Sequence, residues 1–211
     1  MPEWLELIER DRSHPALIGW CPFNETWDYE GNKRQRNALL ATVYKVTKAV
    51  DPTRPCIDTS GNFHVITDIF DVHNYEQDPK IFKETYLPLE TEGVLTDRHN
   101  KRQTYRGEPV FMSEYGGIGL TEGCDDEYGA TANHTTTWSY GKAATCIAEY
   151  IDRYRALTDA MLDNSAMHGF CYTQLYDVEQ EQNGIYTYDR RPKLDVSIIK
   201  EINTRKAAIE D

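Results

Sequence analysis

The sequence lacks the patterns that mark several large classes of protein. No apolar run is followed by a GxGxxG or Walker phosphate-binding loop, the six histidines show no HExxH or paired-ligand spacing, and the five cysteines form no CxxC. These absences argue against a nucleotide-binding domain, a dedicated metal site and a disulfide framework. An odd number of cysteines, mostly inside apolar runs, predicts buried free thiols and a reducing, cytoplasmic compartment.

Linkers, repeats, low-complexity segments and runs long enough to span a membrane are missing as well. The 211 residues are 39% hydrophobic and 27% charged, a composition that predicts one globular domain over 1–211. No secretion signal is visible at the start of the chain. The net charge of −12 and the scattered basic pairs argue against nucleic acid as a partner. We therefore expect a neutral partner, no membrane contact and no cofactor.

Two apolar runs of strand length each lead to a glutamate. Residues 16–23 lead to Asn24 and Glu25, and residues 109–113 lead to Glu114 in front of a glycine pair. Parallel α/β folds keep their chemistry at the carboxyl ends of strands. A retaining glycosidase needs one protonated and one ionised carboxyl, about 5 to 5.5 Å apart. The pair of glutamates therefore predicts a glycosidase.

Hydrophobic periodicity indicates alternating strands and helices, and hence a parallel sheet. Predicted helices cover 2–12, 39–50, 80–89, 138–164 and 196–209, and predicted strands end at Glu25 or cover 56–58, 68–75, 109–114 and 167–172. The second helix is expected to bury Leu39, Val43, Val46 and Val50. Five strands suit a complete open doubly wound domain, or part of a barrel that needs eight strands and roughly 250 residues.

Four stretches resemble glycoside hydrolase family 2. They are His14–Trp20 with Asn24-Glu25, Phe111–Gly116, Tyr172–Leu175 with Asp177–Glu179, and Asn183–Asp189. That family comprises β-galactosidases, β-glucuronidases and β-mannosidases, and its catalytic domain is a (β/α)₈ TIM barrel with the acid/base after strand four and the nucleophile after strand seven. The resemblance implies an α/β fold, a partial barrel of about strands 4 to 8 with their helices. It also implies a retaining β-galactosidase-like hydrolase with a carbohydrate substrate.

The resemblance also implies roles for single residues. Glu25 would be the general acid/base, Glu114 the nucleophile, and Asn24 a partner of the sugar 2-hydroxyl. Tyr75 is similar to the tyrosine that orients the nucleophile in this family. Tyr172 stands where relatives often have a tryptophan that serves as a sugar platform.

Other expectations come from the residues themselves. His73 and Asn74, at a predicted strand end, are candidates for binding sugar hydroxyls. Ser113 and Tyr75 are hydroxyl donors that could keep Glu114 ionised. Two rival interpretations stay open at this point, a non-catalytic carbohydrate-binding or assembly module and an unrelated open α/β domain. A partial barrel also predicts self-association through its open edges.

Overall fold

The computed structural model of the protein describes residues 1–27, 35–95, 102–121 and 137–211. Cys124 and parts of the predicted 90–108 and 116–137 loops lie outside the described residues. The regular elements are α1 (Pro2–Asp11), α2 (Asn37–Val50), β1 (Phe70–Asn74), α3 (Pro79–Glu92), β2 (Val110–Gly116), α4 (Ile147–Leu162), β3 (Met167–Thr173), α5 (Val196–Asn203) and a 3₁₀ helix (Ala208–Glu210).

The three strands form one sheet in the order β1-β2-β3. One helix lies in the β1–β2 connection and one in the β2–β3 connection, the crossover arrangement of parallel strands. The three strands predicted from residue 68 onwards are therefore confirmed. The chain divides into two compact units, Met1–His73 with Asp97–Ser113 and Asn74–Thr96 with Glu114–Asp211.

The first two predicted strands are not regular strands. Trp20 and Cys56 form one isolated parallel bridge, and Asn24 and Ser60 form another. Pro22 lies between the two bridges, and a proline has no N–H to donate to a continuous ladder. The two segments pair in parallel at these two bridges, but the ladder between them is interrupted, so neither is the regular strand that was predicted.

In the first unit, α1 packs on α2 and on the extended segments. The buried side chains of Ile8, Trp20 and Cys56 form the core here. Two indole N–H groups connect this core to α2. Trp4 donates to Thr47 in α2 at 2.8 Å, and Trp20 donates to Asp51, the residue that follows α2, at 2.9 Å. The buried indole of Trp20 and the partly buried indole of Trp4 thus each have a hydrogen-bond partner.

The second unit is built around α4, which contacts α3, α5 and β3. Its interior is rich in tyrosine: Tyr115, Tyr150 and Tyr154 are among the largest fully buried side chains. The hydroxyl of Tyr115 lies 2.8 Å from that of Thr158, and Tyr154 donates to Asn203 at 3.0 Å. These hydrogen bonds allow phenols to fill a core.

Three details of the predicted helices are wrong. The buried face of α2 carries Leu40, Val43 and Thr47, whereas Leu39 is 47% exposed. Helix α4 begins at Ile147 and not at 138, since the Cys146 side chain caps its first turn. Helix α5 ends at Asn203, which leaves residue 209 exposed.

Among the described cysteines, the thiols are free as predicted, but only Cys56 is buried. Cys21, Cys146 and Cys171 are exposed, so the prediction of buried thiols is wrong for these three. Within the described part of the chain, no helix has both the length and the apolar character that a membrane crossing requires.

A buried ion pair fixes the loop that follows β3. Lys193 Nζ lies 2.6 Å from Asp177 Oδ1, and both side chains are less than a tenth exposed. The same carboxylate oxygen accepts the Gly184 N–H at 2.9 Å. Burial lowers the pKa of Lys193, while the pairing with Asp177 opposes this shift.

We predict that Lys193→Ala destabilises the chain by about 3 to 5 kcal/mol, because it leaves the Asp177 carboxylate buried and uncompensated. Urea unfolding measures the loss. Lys206→Ala is the control, since the Lys206–Asp211 pair is exposed and its loss should cost less than about 1 kcal/mol. Equal effects of the two substitutions would contradict the prediction.

Candidate active site

Glu25 lies at the end of an extended segment. Its N–H donates to the Ser60 carbonyl at 2.9 Å, which continues the parallel pairing of Asn24 with Ser60. The φ angle of Glu25 is 44°, in the left-handed region where a residue with a Cβ atom is strained. Strain of this kind clusters at functional sites. The side chain is 34% exposed, so its carboxylate can be reached from solvent.

His73, in β1, is the partner of the Glu25 carboxylate. Its Nδ1 lies 2.7 Å from Glu25 Oε1, and its side chain is only 4% exposed. The hydrogen bond with His73 lowers the pKa of Glu25 below its ordinary value, against the opposing effect of burial. Gly61 makes room for the imidazole, because a Cβ atom there would lie 2.2 Å from His73 Nδ1. The contact with a sugar hydroxyl expected of His73 stays a prediction.

A buried chain of polar groups lies behind His73. Ser60 Oγ is 2.9 Å from His73 Nε2 and 2.6 Å from Asp71 Oδ2. His64 lies between two aspartates, with Nδ1 2.7 Å from Asp58 Oδ1 and Nε2 2.9 Å from the Asp71 carbonyl oxygen. Burial lowers the pKa of His64, but the hydrogen bonds to Asp58 and Asp71 outweigh it and raise the pKa to about 10. His64 is therefore an imidazolium at neutral pH.

Glu114, in β2, accepts a hydrogen bond from a phenol. Tyr75 Oη donates to Glu114 Oε2 at 2.5 Å. Burial and this hydrogen bond raise the pKa of Tyr75, so the phenol keeps its proton. The Tyr75 ring stacks on Tyr140 with centroids 3.4 Å apart and planes at 4°. Gly117 permits this, because a Cβ atom at that position would lie 2.3 Å from the Tyr140 ring.

Asn74 and Tyr172 are held by contacts inside the second unit. Asn74 is buried, its Nδ2 donates to Tyr86 Oη at 3.1 Å, and its Oδ1 accepts the Glu76 N–H at 3.0 Å. These contacts favour a structural role for its side chain. The Tyr172 hydroxyl accepts the Ile118 N–H at 3.1 Å. Its ring is partly exposed, and the platform role predicted for it stays a prediction.

The buried network of Asp58, Ser60, His64 and Asp71 was not predicted from the sequence. The available signal was the small polar run 58–62, which indicates a turn but not what its side chains bind. Ser113 was predicted to donate to Glu114. Its hydroxyl donates instead to Asp71 Oδ2, the oxygen that Ser60 also contacts.

Comparison with known proteins identifies the family. The model for the TIM barrel domain of glycosyl hydrolases family 2 matches residues 3–207. The chain belongs to glycoside hydrolase family 2. The sequence is 26% identical to rat (Rattus norvegicus) β-glucuronidase over 212 residues, which cover 93% of this chain and 30% of that enzyme. It is 29% identical to cat (Felis catus) β-glucuronidase over 119 residues, which cover 53% of this chain and 17% of that enzyme.

Solved structures share the fold. A Ruminococcus gnavus β-glucuronidase superposes with a TM-score of 0.66 at 14% identity, covering 97% of this chain and 34% of that one. This family 2 chain thus spans between 17% and 34% of the length of these three proteins. The predicted TIM-barrel fold class is confirmed, and the unrelated open α/β domain is excluded. The assignment to strands 4 to 8 stays a prediction.

The buried imidazolium of His64 predicts a pH dependence of stability. Because its pKa in the folded chain lies above the ordinary value of 6.5, its contribution is complete below pH 6.5 and is lost as the pH rises towards 10. We expect the free energy of unfolding to fall over this range by on the order of a few kcal/mol more in the wild type than in His64→Gln. Urea titrations across the range measure both slopes.

The matched control for this pH dependence is His168→Gln, at an exposed histidine of β3. It should keep the wild-type slope. If His64→Gln keeps that slope as well, His64 is not the charged member of the network.

Proposed function

We propose that the protein containing this chain hydrolyses β-glycosides with retention of configuration. Glu25 acts as general acid and then as general base, and Glu114 attacks the anomeric carbon. The hydrogen bond from Tyr75 to Glu114 carries the proposal, because a neutral phenol at 2.5 Å stabilises an ionised carboxylate and fixes its direction. Membership of family 2 and the exposed, strained position of Glu25 support it.

For the sugar, we propose a β-D-glucuronide. The family resemblance implied a β-galactosidase-like hydrolase, but the curated relatives that match this chain are named β-glucuronidases. Asn24 is exposed beside Glu25, where the proposed contact with the sugar 2-hydroxyl needs it. A cytoplasmic location, expected from the free thiols, also stays a prediction.

The test first measures hydrolysis of nitrophenyl β-glucuronide, β-galactoside and β-mannoside by the wild type. The glycoside that is hydrolysed fastest is then used to compare Glu25→Ala and Glu114→Ala. General acid/base catalysis contributes about 10²- to 10⁴-fold, so Glu25→Ala should lose a factor in that range on a methyl β-glycoside, whose leaving group needs protonation. Glu114→Ala lacks the nucleophile and should lose activity on every substrate. Azide then separates the roles. With a dinitrophenyl glycoside, Glu25→Ala should give the β-glycosyl azide, because azide attacks the glycosyl-enzyme. Glu114→Ala should give the α-glycosyl azide, because azide attacks the substrate directly.

The matched control is Glu84→Gln, an exposed glutamate on α3, which should keep wild-type rates. If both alanine variants give the same glycosyl azide anomer, the assignment of Glu25 as acid/base and Glu114 as nucleophile is wrong. If no substrate is turned over by the longest protein that carries this chain, the result would favour the alternative of a non-catalytic carbohydrate-binding or assembly module.

We also predict that the 211-residue chain alone associates with itself. Strands β1 and β3 end the sheet in the described structure, and unpaired edges invite pairing. Light scattering after gel filtration should show dimers or larger species. Cys171→Lys places a charge on β3 and should reduce association, whereas a monodisperse wild-type monomer would contradict the prediction.

A further inference from the structure

The hydrogen bonds around Asp71 determine where the hydroxyl proton of Ser60 lies. Asp71 Oδ2 accepts hydrogen bonds from Ser60 Oγ at 2.6 Å, from Ser113 Oγ and from the Gly61 N–H at 3.1 Å. Burial raises the pKa of Asp71, but the cationic His64 and these donors outweigh it and lower the pKa. Asp71 is therefore a carboxylate and can only accept. A contact of 2.6 Å between two oxygens needs a proton, so Ser60 donates its only one to Asp71.

The tautomer of His73 follows from this. Because the Ser60 proton points to Asp71, the Ser60 oxygen can only accept from His73 Nε2, 2.9 Å away. Nε2 therefore carries a hydrogen. The other ring nitrogen, Nδ1, lies 2.7 Å from Glu25 Oε1. Two lone pairs cannot face each other at that distance, so one proton lies between Nδ1 and the carboxylate.

We propose that the proton delivered to the leaving group is held jointly by Glu25 and His73, with His73 as a positioning residue whose tautomer is fixed by Ser60 and Asp71. The inference rests on the proposed function, because it assumes that Glu25 is the general acid. In the first half-reaction the shared proton moves to the glycosidic oxygen, the C1–O bond breaks with its electron pair on that oxygen, and Glu114 forms the new bond to C1. In the second half-reaction water gives a proton back to the Glu25–His73 pair, its oxygen forms a bond to C1, and the C1–Glu114 bond breaks with its electron pair on the Glu114 carboxylate.

The kinetic test compares leaving groups. His73→Gln keeps a polar side chain but cannot share a proton. Its kcat/KM should fall at least about 10-fold on a methyl β-glycoside, which needs protonation, and less than about 3-fold on the dinitrophenyl glycoside, which does not. Ser60→Ala, which frees the imidazole to change tautomer, should shift the ratio of the two rates in the same direction. A merely structural role for His73 would lower both rates alike and overturn the proposal.

Ser113→Ala is the matched control, because Ser113 donates to the same Asp71 oxygen as Ser60. It should leave the ratio of the two rates unchanged, whatever it does to each rate. A change of the ratio equal to that of Ser60→Ala would mean that the effect comes from Asp71 in general and would overturn the role of the Ser60–His73 contact.

A second readout needs no activity. In ¹⁵N-labelled protein, His73 Nε2 should carry a bound proton, and Nδ1 should resonate between the protonated and unprotonated limits. In Glu25→Gln the carboxylate charge that holds the shared proton is gone and the amide N–H can donate to Nδ1, so Nδ1 should move to the unprotonated limit while Nε2 keeps its proton. An unprotonated Nε2 in the wild type would overturn the proposal. Failure of the azide test with these NMR results intact would remove the proposed function and with it the delivery of the proton to a leaving group, but not the proton shared by Glu25 and His73.

Discussion

Asp71 is the acceptor on which the surroundings of Glu25 depend. Its Oδ2 binds Ser60, Gly61 and Ser113, and its main-chain oxygen binds His64. These contacts hold the 60–64 turn against β1 and β2. Replacing such a network by apolar side chains is often neutral or stabilising. Its value in this chain is the fixed orientation it gives to the groups around Glu25.

The surroundings of Glu114 are fixed in a different way. Close aromatic packing over glycine, and not buried charge, positions Tyr75. Gly117 has a φ of 61° and accepts the Tyr140 ring on the face where other residues carry a Cβ atom. Gly116 does the same for Tyr172, since a Cβ atom there would lie 2.2 Å from that ring. These two glycines therefore allow aromatic rings to approach the backbone next to the candidate nucleophile.

The sequence was sufficient for the features that depend on one local pattern. Strands β2 and β3 are largely apolar segments beside turn residues, and α1 is an amphipathic segment with a proline in its first turn, so each could be predicted. The hydrogen bond between His73 and Glu25 could not be predicted, because the two residues are 48 positions apart. The pairing of Asn24 with Ser60, which brings the Glu25 segment to its place, leaves no local pattern in the sequence. Ser113 was given the wrong acceptor for the same reason. A hydroxyl shows that a donor is present but not which of two neighbouring carboxylates takes it.

Ser60 explains why the candidate acid can lie on an interrupted strand. Its carbonyl accepts the Glu25 N–H at 2.9 Å, its N–H donates to Phe23 at 2.8 Å, and its hydroxyl links His73 to Asp71. The left-handed conformation of Glu25 costs on the order of 1 to 3 kcal/mol and persists only where surrounding contacts determine it. Ser60 supplies such contacts on both sides of the carboxylate, because its main chain fixes the Glu25 backbone and its side chain fixes the imidazole that Glu25 faces.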